Sequence, residues 1–344
     1  MAILYEGGMI MKTLVERIFK DIDESSLLLK EALDLSYMEA YIETAENILD
    51  GRTTRVIEDQ PKQKVVKQLN DIYSHLELEI ASPEEIRRAN QFILLKAAQE
   101  DYIQSNHRIT PDLIGQIIAY FSLLFIKKEE NIHLVDFGVG TGNLLTTVMN
   151  QLQAEGSKIK ATGIDIDDLL LSAAIVTSSM QGHQDIQFMK QDVLTNLFIE
   201  PADIVMSDLP VGYYSNDDQA KEFKLSFDEG HSYAHLLFIE QALNYLKENG
   251  LAFFVVPSEI FQDEKAKSLI QYTHEVGFFQ AIIQLPQNFF KNEKNHQSIV
   301  FIQKKGSRAK QAKEVLIARA PDFTQKEKVF TFFNDISTWK NQNF

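Results

Sequence analysis

Three carboxylates stand at or just after the ends of short apolar runs: Asp136, Asp165 and Asp192. The first run, His133-Leu-Val-Asp-Phe137, passes directly into Gly138-Val-Gly-Thr-Gly142, and a helical apolar pattern begins at Asn143. That succession predicts a strand, a tight turn and a helix N-terminus, which together cradle a ligand at the first crossover of an α/β sheet. Glycine serves where the chain turns sharply and where no Cβ can stand between backbone and ligand. Dinucleotide loops usually read G-x-G-x-x-G and hold a pyrophosphate at the helix N-terminus. Here the spacing is G-x-G-x-G, with Asp136 two residues before the first glycine. A carboxylate in that place repels a pyrophosphate and pairs with the ammonium of an amino-acid moiety. S-adenosylmethionine carries such an ammonium and a sulfonium besides. The alternatives are a nucleotide loop of another class and a strand–turn–helix that binds nothing.

The other two acids sharpen that choice. Thr162-Gly-Ile-Asp165 closes a second strand 23 residues after Gly142, where a carboxylate reaches ribose hydroxyls in dinucleotide folds. Gln191-Asp192-Val193 follows a third strand. An aspartate there accepts from an adenine exocyclic amine, and the valine packs on the ring. Singly, each acid reads as a loop-capping aspartate. Three at consecutive strand ends, in step with the glycine loop, favour a ligand. A fourth strand ends in Asp203-Ile-Val-Met-Ser-Asp-Leu-Pro-Val-Gly-Tyr-Tyr214, which would face the reacting centre at the switch point of the sheet.

The elements that must position these residues follow from periodicity. Residues from about 12 to 105 read as helices: Leu14, Ile18, Ile22, Leu27 to Leu29 and Leu33 fall at helical spacing, Tyr37 to Leu49 continues, and Val65 to Leu78 is a further candidate. Ser82-Pro83-Glu84-Glu85 is a helix start, with serine at the N-cap and proline and acids in the first turn. From about 106 the texture is α/β. Strands are predicted at His133–Phe137, Lys160–Ile164, Ile186–Met189, Asp203–Met206, Leu251–Val256, Phe279–Leu285, Ser298–Gln303 and Val315–Ala318. Helices are predicted at Pro111–Ile126, Asn143–Gln153, Asp168–Ser179 and His235–Glu248. This alternation implies an α/β, doubly wound and mostly parallel sheet ending in an antiparallel hairpin. The expected domains are a helical accessory domain over 1–104 and a Rossmann-like domain over 105–344.

Over roughly residues 100 to 305 the chain resembles class I S-adenosylmethionine-dependent methyltransferases. In particular it resembles the N6-adenine DNA methylases related to the modification subunits of type I restriction systems. Besides the glycine loop, the resemblance takes in Arg108-Ile-Thr-Pro111, the segment Phe238 to Ile260, and Ile282-Ile-Gln-Leu-Pro-Gln-Asn-Phe-Phe290. It implies a donor site of Thr110, Pro111, Asp136, Gly138, Gly140, Thr141, Asn143, Asp165, Ile166, Asp192, Val193 and Asp208, with S-adenosylmethionine as cofactor. It implies a catalytic group of Asp208, Leu209, Pro210 and Tyr213. In the family the motif after the fourth strand is Asn/Asp-Pro-Pro-aromatic. Its first side chain and the next carbonyl accept from the target amine, so that the nitrogen lone pair can attack the methyl in line; such catalysis is orientation and electrostatics. Two positions depart from the pattern. Leu209 replaces a proline, which matters little if only its carbonyl is used. Val211 replaces the ring that stacks on a flipped base, an interaction of about 1–3 kcal/mol, and Tyr213 or Tyr214 would supply it instead.

Bulk properties set the limits. There is no cysteine, which excludes disulfides and thiolate chemistry, and the eight histidines show no paired ligand spacing with acids, so no metal is expected. His231 and His235 fit a helix start or the lining of a substrate cleft. No apolar run approaches a membrane span and the N-terminus lacks a basic n-region, so no membrane association and a cytoplasmic location are expected, with the start codon open among Met1, Met9 and Met11. The formal net charge of −15 argues against unaided binding to duplex nucleic acid, although Lys291, Lys294, Lys304, Lys305, Arg308, Lys310 and Lys313 form a local basic cluster. That cluster reads equally as a phosphate-binding face or a solvated strand edge. From resemblance the acceptor is adenine N6 in nucleic acid, DNA ahead of RNA, with a homodimer or a partner subunit supplying target recognition. An RNA base, a protein glutamine, and a donor-binding regulatory module without turnover stay open.

Overall fold

The computed structural model describes residues 13–101, 109–126, 131–261, 266–286 and 296–344. Contacts divide them into two units: the described residues up to Ile109 together with Ile175–His183, and Thr110–Ala174 with Gln184–Phe344. Arg108, Met9, Met11, Lys291, Lys294 and the end of the segment Ile282–Phe290 lie outside the described residues.

In the first unit, helices α1 (Leu14–Leu33), α2 (Tyr37–Leu49), α3 (Gln63–His75) and α4 (Pro83–Glu100) succeed one another. Three of them start from a capping box, Thr13 with Glu16, Ser36 with Glu39, and Ser82 with Glu85. In each, side chain and backbone satisfy each other's orphan donors, which fixes where the helix begins. The apolar stripes of these helices supply the buried residues Ile18, Ile22, Leu29, Leu69, Tyr73 and Ile93. The buried Tyr41 hydroxyl donates to Asn90 at 2.9 Å and shares a 3.1 Å hydrogen bond with Thr177.

The second unit is an eight-stranded sheet. Its strands are β1 (Asn131–Phe137), β2 (Lys158–Asp165), β3 (Ile186–Lys190), β4 (Ala202–Asp208), β5 (Leu246–Pro257), β6 (Gly277–Gln284), β7 (Gln297–Lys304) and β8 (Leu316–Arg319). They lie in the order β3-β2-β1-β4-β5-β7-β6-β8, and β7 is antiparallel to both its neighbours while the other pairings are parallel. Successive residues point to opposite faces. Leu134, Ile204, Met206, Phe253, Val255 and Phe301 enter one buried core, and Val135, Val205, Ala252, Phe254, Val256 and Val300 enter the other. Burial on both faces is why these strands read as unbroken apolar runs. Helices α5 (Asp112–Phe125), α6 (Asn143–Ala154), α7 (Asp168–Met180), α8 (Asp217–Ala220), α9 (Ala234–Tyr245), α10 (Ala266–Val276) and α11 (Lys326–Asn343) complete the chain.

The doubly wound sheet, its antiparallel β6–β7 pair and the N-terminal helices agree with the sequence reading. Three details differ. The helix expected to reach Glu248 stops at Tyr245, and β5 begins at Leu246, whose side chain is buried opposite Ala202. β7 lies between β5 and β6, so the hairpin's second strand is interior to its first. α10 and α11 were not apparent from the sequence; α11 buries only Phe332, Ile336 and Trp339 of its 18 residues, too sparse a pattern to signal a helix.

A candidate site at the strand ends around β1 and β4

β1 and β4 are neighbours from which the chain departs in opposite directions, to β2 on one side and β5 on the other. The crevice at such a switch point is where open α/β sheets bind ligands. Asp136 sits at its floor, 1% exposed, and neither carboxylate oxygen has a hydrogen-bond partner among the described residues. Burial pushes its pKa well above the usual carboxylate value, and the nearby charges of Asp208 and Asp165 add to the shift. A buried carboxylate without donors is destabilising when ionised unless a cation meets it.

The glycine loop begins two residues after this acid. Gly138, Gly140 and Gly142 all have positive φ, at 81°, 52° and 79°. The Gly138 and Val139 amides donate to the Ile164 carbonyl at 2.9 Å, so the turn is tied to the end of β2. A Cβ on Gly140 would meet nothing within 4 Å, whereas one on Gly142 would come within 3.1 Å of Ala174 Cβ. The first glycine leaves space above the loop, and the second lets α6 approach α7. Thr141, between them, is buried.

Asp165 is half-buried, and both its oxygens are engaged: Oδ2 accepts from the Gly140 amide at 2.7 Å and Oδ1 from the Asp167 amide at 2.9 Å. Ile166, beside it, is 68% exposed, an apolar side chain left in the open at the rim. Asp192 accepts from the Leu194 amide at 2.9 Å and from the Tyr214 hydroxyl at 2.6 Å. Burial and the bond to this acid raise the Tyr214 pKa. Val193 is buried in the core that contains α9, and Gln241 donates to its carbonyl at 2.7 Å.

At the end of β4, Asp208 Oδ2 accepts from the Thr110 hydroxyl at 2.8 Å. Burial raises the pKa of this carboxyl to about 6, against the opposing effect of the Thr110 bond. Thr110 is held in turn by Asn143 Nδ2, which donates to its carbonyl at 2.7 Å, while Pro111 caps the start of α5. Asn143 thus ties the segment before β1 to the helix after the glycine loop. Leu209 is buried and its amide donates to Val255 at 3.2 Å, Pro210 is exposed, and Val211 is 52% exposed. The Tyr213 ring, also exposed, stacks on Tyr233 at 5.1 Å, and Tyr233 stacks on His235 at 5.1 Å. His231 bonds Asp217 at 2.9 Å, and its ring lies tilted beside the Tyr213 end of that stack, with centroids 6.3 Å apart.

Of the residues expected at the site, the structure links Thr110, Asn143 and Asp208 into one chain, and Gly140 and Asp165 into another. The sequence suggests Tyr214 only as a stacking ring, and nothing in it signals the bond to Asp192. Two surface grooves along α11 contain none of these residues. Among the described residues no group of His, Asp and Glu is placed to hold a metal, and no helix is long and apolar enough to cross a membrane.

Strand order, glycine loop and the acid at the end of β1 together define the class I S-adenosylmethionine-dependent methyltransferases. Within that class the chain belongs to the N-6 DNA methylase family, whose model matches residues 84–338. Residues 16–98 match the YtxK N-terminal helical domain. YtxK of Bacillus subtilis (strain 168), itself uncharacterized, is 34% identical over 325 residues, 94% of this chain and 97% of its own length. A Listeria monocytogenes protein assigned to the class I S-adenosylmethionine-dependent methyltransferases is 38% identical in its crystal structure, with a TM-score of 0.87 over 95% of this chain and 99% of that one. The type I restriction-modification system methyltransferase subunit from Streptococcus thermophilus shares the fold at 15% identity, with a TM-score of 0.65 over 96% of this chain and 73% of that one.

Proposed function

We propose that this chain transfers a methyl group from S-adenosylmethionine to an exocyclic or amide nitrogen, with adenine N6 in DNA as the acceptor. The observation that carries the reading is the buried, unpartnered carboxylate of Asp136, two residues before a glycine loop that has open space at Gly140. A ligand bearing an ammonium supplies the missing partner. Such a partner favours the ionised form and reverses the burial penalty. Asp165 and Ile166 would serve the ribose and adenine, and Asp192 the adenine amine. When bound, the cofactor supplies an electrophilic methyl on a sulfonium.

The acceptor side rests on Asp208. With a pKa of about 6 it is mostly ionised at neutral pH, and the Thr110 hydroxyl holds one of its oxygens in place. The carboxylate and the Leu209 carbonyl would each accept from one hydrogen of the substrate amine. That favours a tetrahedral nitrogen and directs its lone pair toward the methyl, a positioning effect that needs no strong base. Tyr213, exposed and backed by the Tyr233 and His235 rings, would stack on the planar acceptor in place of Val211. With a net charge of −15, contact with duplex DNA is assigned to a partner subunit or second copy that supplies target recognition, with residues 1–104 as the accessory domain that engages it.

Calorimetry with S-adenosylmethionine tests the donor site: saturable binding is expected, and its absence defeats the reading. Labelled methyl is then followed into the DNA, RNA and protein fractions of cells lacking the gene. Label in DNA, recovered as N6-methyladenine, is the expected result. Label in RNA or in protein glutamine would move the acceptor, and binding with no transfer would favour a regulatory module.

A further inference from the structure

β5 ends on Pro257 inside the sheet, with β4 on one side and β7 on the other. Proline gives no hydrogen bond to a ladder, and in sheets it is confined to edges, first positions and bulges. Its place here has a specific consequence. β4 and β5 run parallel with Asp208 opposite Val255, and the Leu209 amide donates to the Val255 carbonyl. In a parallel ladder the next bond returns from the amide two residues further along the partner strand to the carbonyl of the same residue. For Leu209 that residue is Pro257, which has no N–H.

The break is confined to that bond. On the other side of β5, Pro257 stands opposite Gln297 and the Ser258 amide donates to the His296 carbonyl at 2.8 Å. The β5–β7 ladder therefore runs to its end, while on the β4 side one carbonyl, adjacent to Asp208, is left without its rung. Among the described residues no other donor reaches it. A buried backbone carbonyl is ordinarily paired, and Leu209 is buried.

We infer that Pro257 is a positioning residue: by withholding an N–H it keeps the Leu209 carbonyl open as the second acceptor for the substrate amine. The inference rests on the N-methylation reading above. It gives the departure at Leu209 a physical sense, since the side chain at that position packs into the core while only its carbonyl meets substrate. It also moves part of the acceptor machinery onto β5, outside the Asp-Leu-Pro-Val turn.

Three proteins test it: wild type, Pro257→Ala, and a version with lactic acid at position 257, introduced by nonsense suppression. The last differs from the alanine variant only in lacking the N–H. The new amide of Pro257→Ala should be protected from hydrogen exchange. Its methyl transfer to an adenine-containing duplex pool should fall about tenfold, as for one competing hydrogen bond, with unchanged calorimetric affinity for S-adenosylmethionine. The lactate version should regain most of the wild-type rate. An unprotected amide, a wild-type rate in Pro257→Ala, or a lactate version as slow as the alanine one would each overturn the inference. Wild-type protein that methylates neither DNA, RNA nor protein would defeat the functional reading, and the acceptor role with it. Exchange at position 257 is read without any acceptor, so the two failures are distinguishable.

Discussion

The rim and the floor of the strand-end site are built from the same side chain, aspartate, in opposite states. On the rim, Asp165 and Asp192 each have both oxygens engaged, by the Gly140 and Asp167 amides in one case and by the Leu194 amide and Tyr214 hydroxyl in the other. On the floor, Asp136 has neither oxygen engaged, although it is the most buried of the three. A carboxylate held by amides is content without ligand and shapes the backbone around it. A buried one without donors is a standing cost that only a cationic ligand offsets. The rim acids therefore preorganise the cradle they offer to ribose and adenine, and the floor acids, Asp136 and Asp208, are where the ligand's charge and the chemistry are expected to be met.

The largest effect should come from the floor. Asp208→Ala removes the side-chain acceptor and should lower methyl transfer by about 10²–10³-fold, the scale seen on deleting one preorganised hydrogen-bonding group, while calorimetric donor affinity stays near wild type. Comparable activity in the variant would remove Asp208 from the acceptor side. Next is Asp136→Asn. Loss of the ammonium partner should weaken donor binding by roughly 10–100-fold, the equivalent of one charge-assisted hydrogen bond. The same change removes a buried, unpartnered carboxyl that is costly to ionise, so the ligand-free variant should melt higher than wild type at neutral pH. Weaker binding together with a higher melting temperature is the signature of a functional acid held at a cost to the fold; a lower melting temperature would show that Asp136 has a stabilising partner after all.

A smaller, pH-dependent effect separates the two floor acids. The Asp208 pKa stands at about 6 against an ordinary 3.8, so the folded state holds this proton more tightly than the unfolded chain does. Its contribution to stability is therefore fully present below the ordinary value and is lost as pH rises through about 6. Transfer should show the opposite trend, rising through the same pH as the acceptor ionises. Asp208→Asn keeps an acceptor oxygen, so it should retain part of the activity and lose the inflection near pH 6. A pH–rate profile unchanged by that substitution would assign the inflection to another group.

How much of this was legible in the sequence depended on the range of the interaction. Local signals served well: the Ser82 cap, the apolar runs of the strands and the glycine loop all depend on neighbours within a few residues, and α2 starts and ends where its pattern does. Contacts set by strand order were not legible. The Tyr214–Asp192 bond spans 22 residues and the Thr110–Asp208 bond 98, and each depends on which strands become neighbours. The Thr-Pro segment pointed toward a donor site, yet the hydroxyl of Thr110 is spent on the acceptor acid. In the sequence Pro257 merely follows the strand predicted over Leu251–Val256. Its meaning appears only when the register opposite Leu209 is known.

The smallest predicted effect separates two glycines that the motif makes look equivalent. Gly142→Ala would press a Cβ to 3.1 Å from Ala174 Cβ at a φ of 79°, so α6 and α7 must give way. Its consequence should be a loss of about 1–2 kcal/mol of stability, mostly left-handed strain plus crowding, read by denaturant unfolding. Gly140→Ala meets no protein atom within 4 Å and carries only the strain of its φ of 52°, so its stability loss should be the smaller of the two. If the space above Gly140 is where the donor lies, that Cβ stands in it, and S-adenosylmethionine affinity should fall more in Gly140→Ala than in Gly142→Ala. Equal affinities would mean that the loop's openness has no bearing on the ligand and that Asp136 alone marks the donor site. The reversed order in stability and in affinity is what separates a glycine kept for helix packing from one kept for a ligand.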